Sequence, residues 1–318
     1  MKKITCCPLC DAGKFSPFYE GIDKYYSQKH VRLDVCDNCG LIFLNPRLTN
    51  EEYKEWYASV FQNKRRGMES VKQAVIGIKQ KNKYKQKQKE LKYFLGYVNK
   101  DSKCLEIGAG WGVLAKAVKD KFGCEVDVVE PSELAARVAR EHFKLNVFNG
   151  DFESFINEKK DGAKYDFIYS YHVFEHITEP GAFLEKIKGV LSPAGVLLLA
   201  LPDTLKPDRP EEEYFHIDHC FYYTPRTIEL MLNRHGFEIK KIWRCKNDMK
   251  IVCSPAAFGY ALKKDSNEIQ RAQKAIKRIN KKYKLARGLK KILFVFFTEK
   301  QRDKLNRLIY SLRAKTGI

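Results

Sequence analysis

Between Cys104 and Gly112 the chain reads CLEIGAGWG. A short apolar run ends in three glycines at alternate positions, and an amphipathic stretch, Trp111–Lys121, follows. A strand that stops in a glycine turn and continues as a helix is half of a βαβ unit. That restricts the chain to a parallel sheet with helices packed on its faces. The rest of residues 103–255 keeps the alternation. Candidate strands are Lys103–Ile107, Glu125–Val129, Asn146–Phe148, Tyr165–Tyr169, Gly195–Leu201, Glu238–Arg244 and Met249–Cys253; candidate helices are Trp111–Lys121, Glu133–His142, Phe152–Glu158, Gly181–Val190 and Arg226–His235. This order predicts an α/β fold, a doubly wound sheet of seven strands, mostly parallel. Only a short turn joins the last two strands, so they are expected as an antiparallel hairpin at the sheet edge.

The loop resembles the Rossmann-like pattern for pyrophosphate, with one conflict. Gly108, Gly110 and Gly112 follow G-x-G-x-G, yet Glu106 stands two residues upstream, where a carboxylate repels phosphate. Beside a ligand bearing an ammonium group and a sulfonium, as S-adenosylmethionine does, the same carboxylate attracts. Two more acids fall at strand ends. Glu130 closes VDVVEPS, where a carboxylate accepts from both ribose hydroxyls. Asp151 in FNGDF can accept from an adenine amino group.

With CLEIGAGWG, VVEPS, NGDFES, YDFIYSYHVFEHI and LSPAGVLLLALPD in that order, the chain resembles the class I S-adenosylmethionine-dependent methyltransferases. The resemblance runs from about Lys103 to Pro202 and more loosely to Pro255. It implies that Glu106, Gly108, Ala109, Gly110, Gly112, Glu130, Pro131, Asp151, Phe152 and Tyr171 hold the cofactor. It also implies that the HVFEH block packs beside the cofactor and lines the acceptor cleft. His172, Glu175 and His176 are then candidate catalytic bases, their pKa values being tunable toward neutrality. Positioning alone can suffice for methyl transfer to a good nucleophile, so the block marks the place more than it names the base.

A second histidine cluster lies in EEEYFHIDHCFYYTPRTIELML. His216, Asp218 and His219 precede a helix start with Thr224 as N-cap and Pro225 as first residue. In similar methyltransferases an H-x-x-x-x-(T/S)-P insertion covers the acceptor; His219 fits, with His216 the runner-up. These histidines alone offer no clear third ligand for a metal.

Cys7-Pro-Leu-Cys10 and Cys36-Asp-Asn-Cys39 give two C-x2-C knuckles, the pattern of a closed structural Zn²⁺ site. Cys6 is the poorer alternative to Cys7 because its spacing to Cys10 is C-x3-C. LDVCDNCGLIFLNPRLTNEEYKEWY is similar to the N-terminal zinc ribbon of bacterial methyltransferases that modify sugars and cell-surface glycans, sugar C-methyltransferases among them. With 318 residues there is no room for the second large α/β domain of the C-methylating enzymes, so O-methylation of a sugar, glycan or other small hydroxyl acceptor is expected. The expected organisation is a zinc ribbon over residues 1–50, a basic helical connector over 51–100, the methyltransferase domain over 101–255 and a basic helical tail over 256–318.

The net charge of +20 sits in the appendages. Residues 64–100 carry 12 basic against 2 acidic side chains and residues 260–318 carry 18 against 4, while residues 101–259 carry 21 against 25. The excess therefore describes a docking surface rather than a catalytic pocket. A zinc ribbon with such charge also suits an RNA methyltransferase, or a module that binds the cofactor without catalysis. Against RNA, HVFEH stands where a base-clamping N/D-P-P-Y/F motif is expected. The tail stretch KKILFVFFTEKQRDKLNRLIYSLRAK has apolar residues at helical spacing with Lys and Arg opposite. It fits peripheral contact with an anionic membrane presenting a lipid-linked acceptor, or packing on the core. With no export signal, no apolar run longer than Val196–Leu201 and Ile292–Phe297, and ten cysteines read as thiols or ligands, the chain is expected in the cytoplasm.

Overall fold

The computed structural model describes residues 1–56, 70–159, 162, 164–256 and 267–296, with the side chains of Lys54, Glu268 and residues 286–296 left aside. Its strands are β1 (Phe15–Ile22), β2 (His30–Cys36), β3 (Ile42–Leu44), β4 (Lys103–Ile107), β5 (Glu125–Glu130), β6 (Asn146–Asn149), β7 (Tyr165–Tyr171), β8 (Leu191–Pro202), β9 (Phe221–Tyr222), β10 (Phe237–Cys245) and β11 (Asp248–Pro255). The helices are α1 (Asn50–Trp56), α2 (Val71–Gln80), α3 (Lys83–Gln88), α4 (Val113–Phe122), α5 (Glu133–Arg137), α6 (Phe152–Glu158), α7 (Pro180–Val190), α8 (Glu211–Tyr214), α9 (Pro225–Arg234) and α10 (Asn267–Phe296).

The large sheet runs β10-β11-β8-β7-β4-β5-β6. Its inner pairs are parallel, and β11 pairs antiparallel with both β8 and β10, the expected edge hairpin. Residues 104–107 of β4 are all buried, as a strand covered on both faces requires. The period of two divides that run between two cores. Leu105 and Ile107 join Ile168, Leu197 and Leu199 on one face. Cys104 packs with Val128, Phe167, Tyr169 and Leu198 on the other, so Glu106 points to that second face, opposite Tyr169 in register.

Element bounds shift by a few residues from those expected. The helix expected over Glu133–His142 is α-helical to Arg137 and widens into a π turn over Val138–His142. The helix expected from Trp111 starts at Val113, because Gly110 and Gly112 hold left-handed φ of 57° and 73°. A Cβ on Gly112 would meet Ala139 at 2.7 Å and Leu145 at 2.9 Å, so this glycine lets two elements pack closely. The strand expected over Gly195–Leu201 begins earlier, at Leu191.

The N-terminal segment forms a second sheet, ordered β1-β2-β3-β9. Its last strand comes from the HCFYY segment, nearly two hundred residues downstream, through Ile42↔Tyr222 and Phe43↔Phe221. Cys7, Leu9, Cys36, Cys39 and Phe43 share one core with Phe174, Phe221, Tyr223 and Met231. The cysteine-bearing segment therefore packs directly on the elements beside the HVFEH block. Among the described residues no helix is long and apolar enough to cross a membrane. The membrane-facing tail helix expected over residues 290–315 lies outside the described residues from Phe297 onward.

Candidate active site

The carboxyl ends of β4, β5 and β7 gather the residues singled out in the sequence. Glu106 is 2% exposed, and its Oε2 has no hydrogen-bond partner among the described residues. Burial pushes its pKa up to about 8, opposed by Lys87. Lys87 comes from α3 and lies 5.0 Å over the ring of Tyr171. Burial pulls its own pKa below the ordinary lysine value, against the fields of Glu106 and Glu90. The basic connector thus contains one inward lysine, close enough to Glu106 for the two charges to act on each other. The sequence signal was the helical spacing of Tyr84, Lys87 and Leu91.

The glycine loop is tied to the second strand end. Gly110 N–H donates to Glu130 Oε2 at 2.6 Å, and Ser132 N–H to Oε1 at 2.9 Å. Gly108 has φ 72°, and a Cβ there would meet Val173 of the HVFEH block at 2.4 Å. Loop and block are therefore packed against each other. Ala109 N–H reaches back to Val129 O at 3.4 Å, and Pro131 stands exposed beyond the strand. Asp151 is the N-cap of α6, accepting from Ser154 N–H at 2.8 Å. Phe152 is buried beneath it against Phe183.

HVFEH leaves β7 through His172, which takes a left-handed φ of 57° while its N–H donates to Ala200 O at 2.8 Å. A non-glycine residue held in that region is strained, and strain of this kind gathers at functional sites. The turn sets the imidazole between two acids, Nδ1 3.4 Å from Glu175 Oε1 and Nε2 3.5 Å from Asp248 Oδ2. The His172 side chain is 44% exposed; partial desolvation pulls its pKa down, but Asp248 and Glu175 outweigh it and push it up to about 9. Burial lifts Asp248, yet His172 and Lys250 hold it down at about 2. Lys250 is buried and donates to Asp248 at 2.9 Å. Asp248 and Lys250 were not singled out from sequence. The β8–β11 pairing, which puts Asp248 opposite Pro202, brings them here.

Glu175 is 1% exposed, and neither carboxylate oxygen has a hydrogen-bond partner among the described residues. His219 Nε2 stands 3.9 Å from its Oε1. His176 Nδ1 meets Asp218 O at 2.7 Å, and its ring lies edge-on to His219 with centroids 4.6 Å apart. His216 sits deeper, bonded through Nδ1 to Asp218 Oδ1, with its ring 4.0 Å from that of His219. All five candidate catalytic residues therefore fall in one neighbourhood, with His172, His176 and His219 around the Glu175 carboxylate and His216 behind. The covering segment is firmly held. Tyr53 Oη donates to Ile217 O at 2.9 Å, β9 pairs with β3, and Thr224 with Thr227 forms the capping box that starts α9.

The four cysteines also come together. Cys7 and Cys39 Sγ lie 3.6 Å apart, Cys10 and Cys36 Sγ 3.5 Å apart, and all four lie within 4.8 Å of one another. Thiolates about 2.3 Å from a tetrahedral Zn²⁺ stand roughly 3.8 Å apart, so the set fits that ion. Leu9 N–H approaches Cys7 Sγ at 3.5 Å, the backbone contact of a knuckle. Cys6 is exposed and outside the cluster.

A family model described as "Methyltransferase domain" matches residues 79–242. A ubiquinone biosynthesis O-methyltransferase from Rhodopseudomonas palustris (strain TIE-1) is 28% identical over 97 residues, 30% of this chain and 38% of the relative. One from Pelagibacter ubique (strain HTCC1062) is 30% identical over 109 residues, 34% of this chain and 45% of the relative. The chain thus spans less than half the length of these curated relatives. A SAM-dependent methyltransferase from Aquifex aeolicus has a TM-score of 0.42 at 22% identity, covering 52% of this chain and 88% of that one. With the family model spanning half of its length over the glycine loop, the strand-end acids and the HVFEH block, the chain belongs to the methyltransferase-domain family.

Proposed function

We propose that this protein uses S-adenosylmethionine to methylate a hydroxyl oxygen of a small acceptor, a sugar or glycan above all. The observation that carries the reading is the pair of buried, under-partnered carboxylates at neighbouring strand ends, Glu106 and Glu175. Glu106 meets the cationic end of the cofactor, replacing the weak compensation it now draws from Lys87. Glu130 accepts from the ribose hydroxyls, Asp151 and Phe152 bound the adenine, and Gly108, Ala109, Gly110, Gly112, Pro131 and Tyr171 complete the cradle. When bound, the cofactor supplies an electrophilic methyl group on a sulfonium.

The chain's own work is then positioning and proton handling. Glu175, His176 and His219 face the acceptor oxygen and favour its deprotonated form, while Asp248 holds the ring of His172 beside them. The segment around His216–His219, held by β3 and Tyr53, excludes water and keeps the acceptor aligned. Oxygen as the target is supported by the relatives, which are named as O-methyltransferases. A sugar is supported by the aromatic rim at this segment. Tyr25 is 42% exposed and stacks on His216 with centroids 5.7 Å apart. Four thiolates around a structural Zn²⁺ would brace β2 and β3, and through β9 the covering segment. The basic tail supports delivery of the acceptor at an anionic surface.

The test supplies purified protein with methyl-labelled S-adenosylmethionine and separated fractions of host extract. Alkali-stable label in sugars or glycans is the expected result. Label confined to RNA would overturn the acceptor class and make the basic connector a nucleic-acid surface.

A further inference from the structure

We propose that Glu175, His176 and His219 form a second metal site, separate from the four cysteines, that takes a divalent transition cation and leaves coordination positions open toward the acceptor. One ligand atom from each of the three lies within 4.8 Å of the others, with Glu175 Oε1 and His219 Nε2 at 3.9 Å. A cation that holds nitrogen and oxygen at about 2.1 Å brings ligand atoms to roughly 3.0–3.4 Å of one another. Closure therefore needs the ligand atoms to draw together by up to about 1.5 Å.

Two further observations point to a cation. Glu175 is 1% exposed with neither oxygen hydrogen-bonded among the described residues, and a carboxylate buried that way needs a positive partner. His172 offers one from a single side, and its ring keeps Asp248 when Glu175 turns to a metal. The second observation is the tautomer of His176. A carbonyl oxygen only accepts, so the 2.7 Å contact from Nδ1 to Asp218 O puts a proton on Nδ1, which in the neutral ring leaves the lone pair on Nε2. Imidazoles that bind metals are oriented in this way, by a hydrogen bond from the other nitrogen.

The ligand chemistry separates the two sites. Four thiolates make a closed, soft site. Two imidazoles and one carboxylate make a three-ligand site of the kind that keeps positions for water or substrate, suited to Zn²⁺, Fe²⁺, Co²⁺ or Mn²⁺. The chemical role assigned to the cation rests on the O-methylation reading, whereas its binding does not. An acceptor hydroxyl bound there loses its proton to water at a lower pH than in solution. The oxygen lone pair then forms the new O–C bond as the S–C bond breaks, its electron pair staying on sulfur, which leaves as a neutral thioether.

The probe is Co²⁺, titrated into the full chain already loaded with one equivalent of Zn²⁺ at the cysteines. The expected result is uptake of one equivalent giving weak visible d–d bands with no thiolate-to-cobalt charge-transfer band. Glu175→Gln and His219→Ala should each weaken that uptake at least about 100-fold. Both should keep the zinc equivalent and the wild-type near-ultraviolet dichroism, which shows that the fold survives. If a variant does not fold, His176→Gln replaces it. No cobalt uptake by the zinc-loaded wild type would overturn the site, as would uptake unchanged in a folded variant. A chain that binds cobalt there yet labels no hydroxyl acceptor would refute the O-methylation reading alone.

Discussion

Glu106 lies near the end of β4 and Glu175 in the turn that follows the neighbouring β7, both almost fully buried; one carboxylate oxygen of Glu106 and both of Glu175 lack hydrogen-bond partners among the described residues. Their surroundings differ. Glu106 lies among Tyr169 and apolar side chains of the second core and has one nearby cation, Lys87. Glu175 is ringed by imidazoles from two segments, His172 and His176 beside it in sequence and His219 from the covering loop. A carboxylate whose pKa is raised by burial is primed for a permanent cation, whereas one among imidazoles is placed for proton or metal chemistry. On the function proposed above, the comparison assigns one buried acid to the donor side of the cleft and the other to the acceptor side.

The largest expected effect separates them most sharply. Glu175→Gln should lower kcat/KM for methyl transfer by about 10²–10⁴-fold, the range for losing an acid–base group, while the Kd for S-adenosylmethionine stays within about twofold. A parallel loss of cofactor affinity would erase the distinction.

Next in size, Glu106→Gln should weaken S-adenosylmethionine binding by about 10–100-fold, the worth of a charge-assisted hydrogen bond. Its melting temperature at pH 7 should be no lower than that of the wild type. The sign follows from the raised pKa. Ionised Glu106 is disfavoured in the fold, so its contribution to stability is fully present below the unfolded value of 4.5 and is lost as pH rises toward about 8. Glutamine removes that loss, and a clear drop in melting temperature would contradict it.

Linked to this is a proton count. With burial lifting Glu106 to about 8, binding a cationic ligand at pH 7 should release up to about one proton from this site. Calorimetry in two buffers of different ionisation enthalpy reads that number, and Glu106→Gln should abolish the release. The smallest effect belongs to Asp248→Asn, which frees the ring of His172 and should lower kcat by about fivefold, the cost of roughly 1 kcal/mol of positioning, with cofactor affinity unchanged.

The sheet could be read from sequence because its strands carry local signals, apolar runs bounded by turn residues. Lys103–Ile107 and Phe152–Glu158 were placed at their observed bounds for that reason. β1 was missed because FSPFYEGI is only half buried and slips register between Pro17 and Tyr19. β9 was missed because two residues carry no period, and only pairing with β3 makes them a strand. The acids of the glycine loop were legible from motif order. The third partner for the histidines was not, since His219 reaches Glu175 through a fold-back of more than forty residues. Lys87 was hidden within a basic connector read as a docking surface; Lys85 and Lys89 around it are exposed, and only the packing of α3 over Tyr171 turns it inward.

The division between the two carboxylates is tested most directly by calorimetric titration of S-adenosylmethionine into the wild type, Glu106→Gln and Glu175→Gln, each verified as folded. The account predicts wild-type affinity for Glu175→Gln and a Kd at least about tenfold weaker for Glu106→Gln. Equal affinity in all three proteins, or equal losses in both variants, would contradict it.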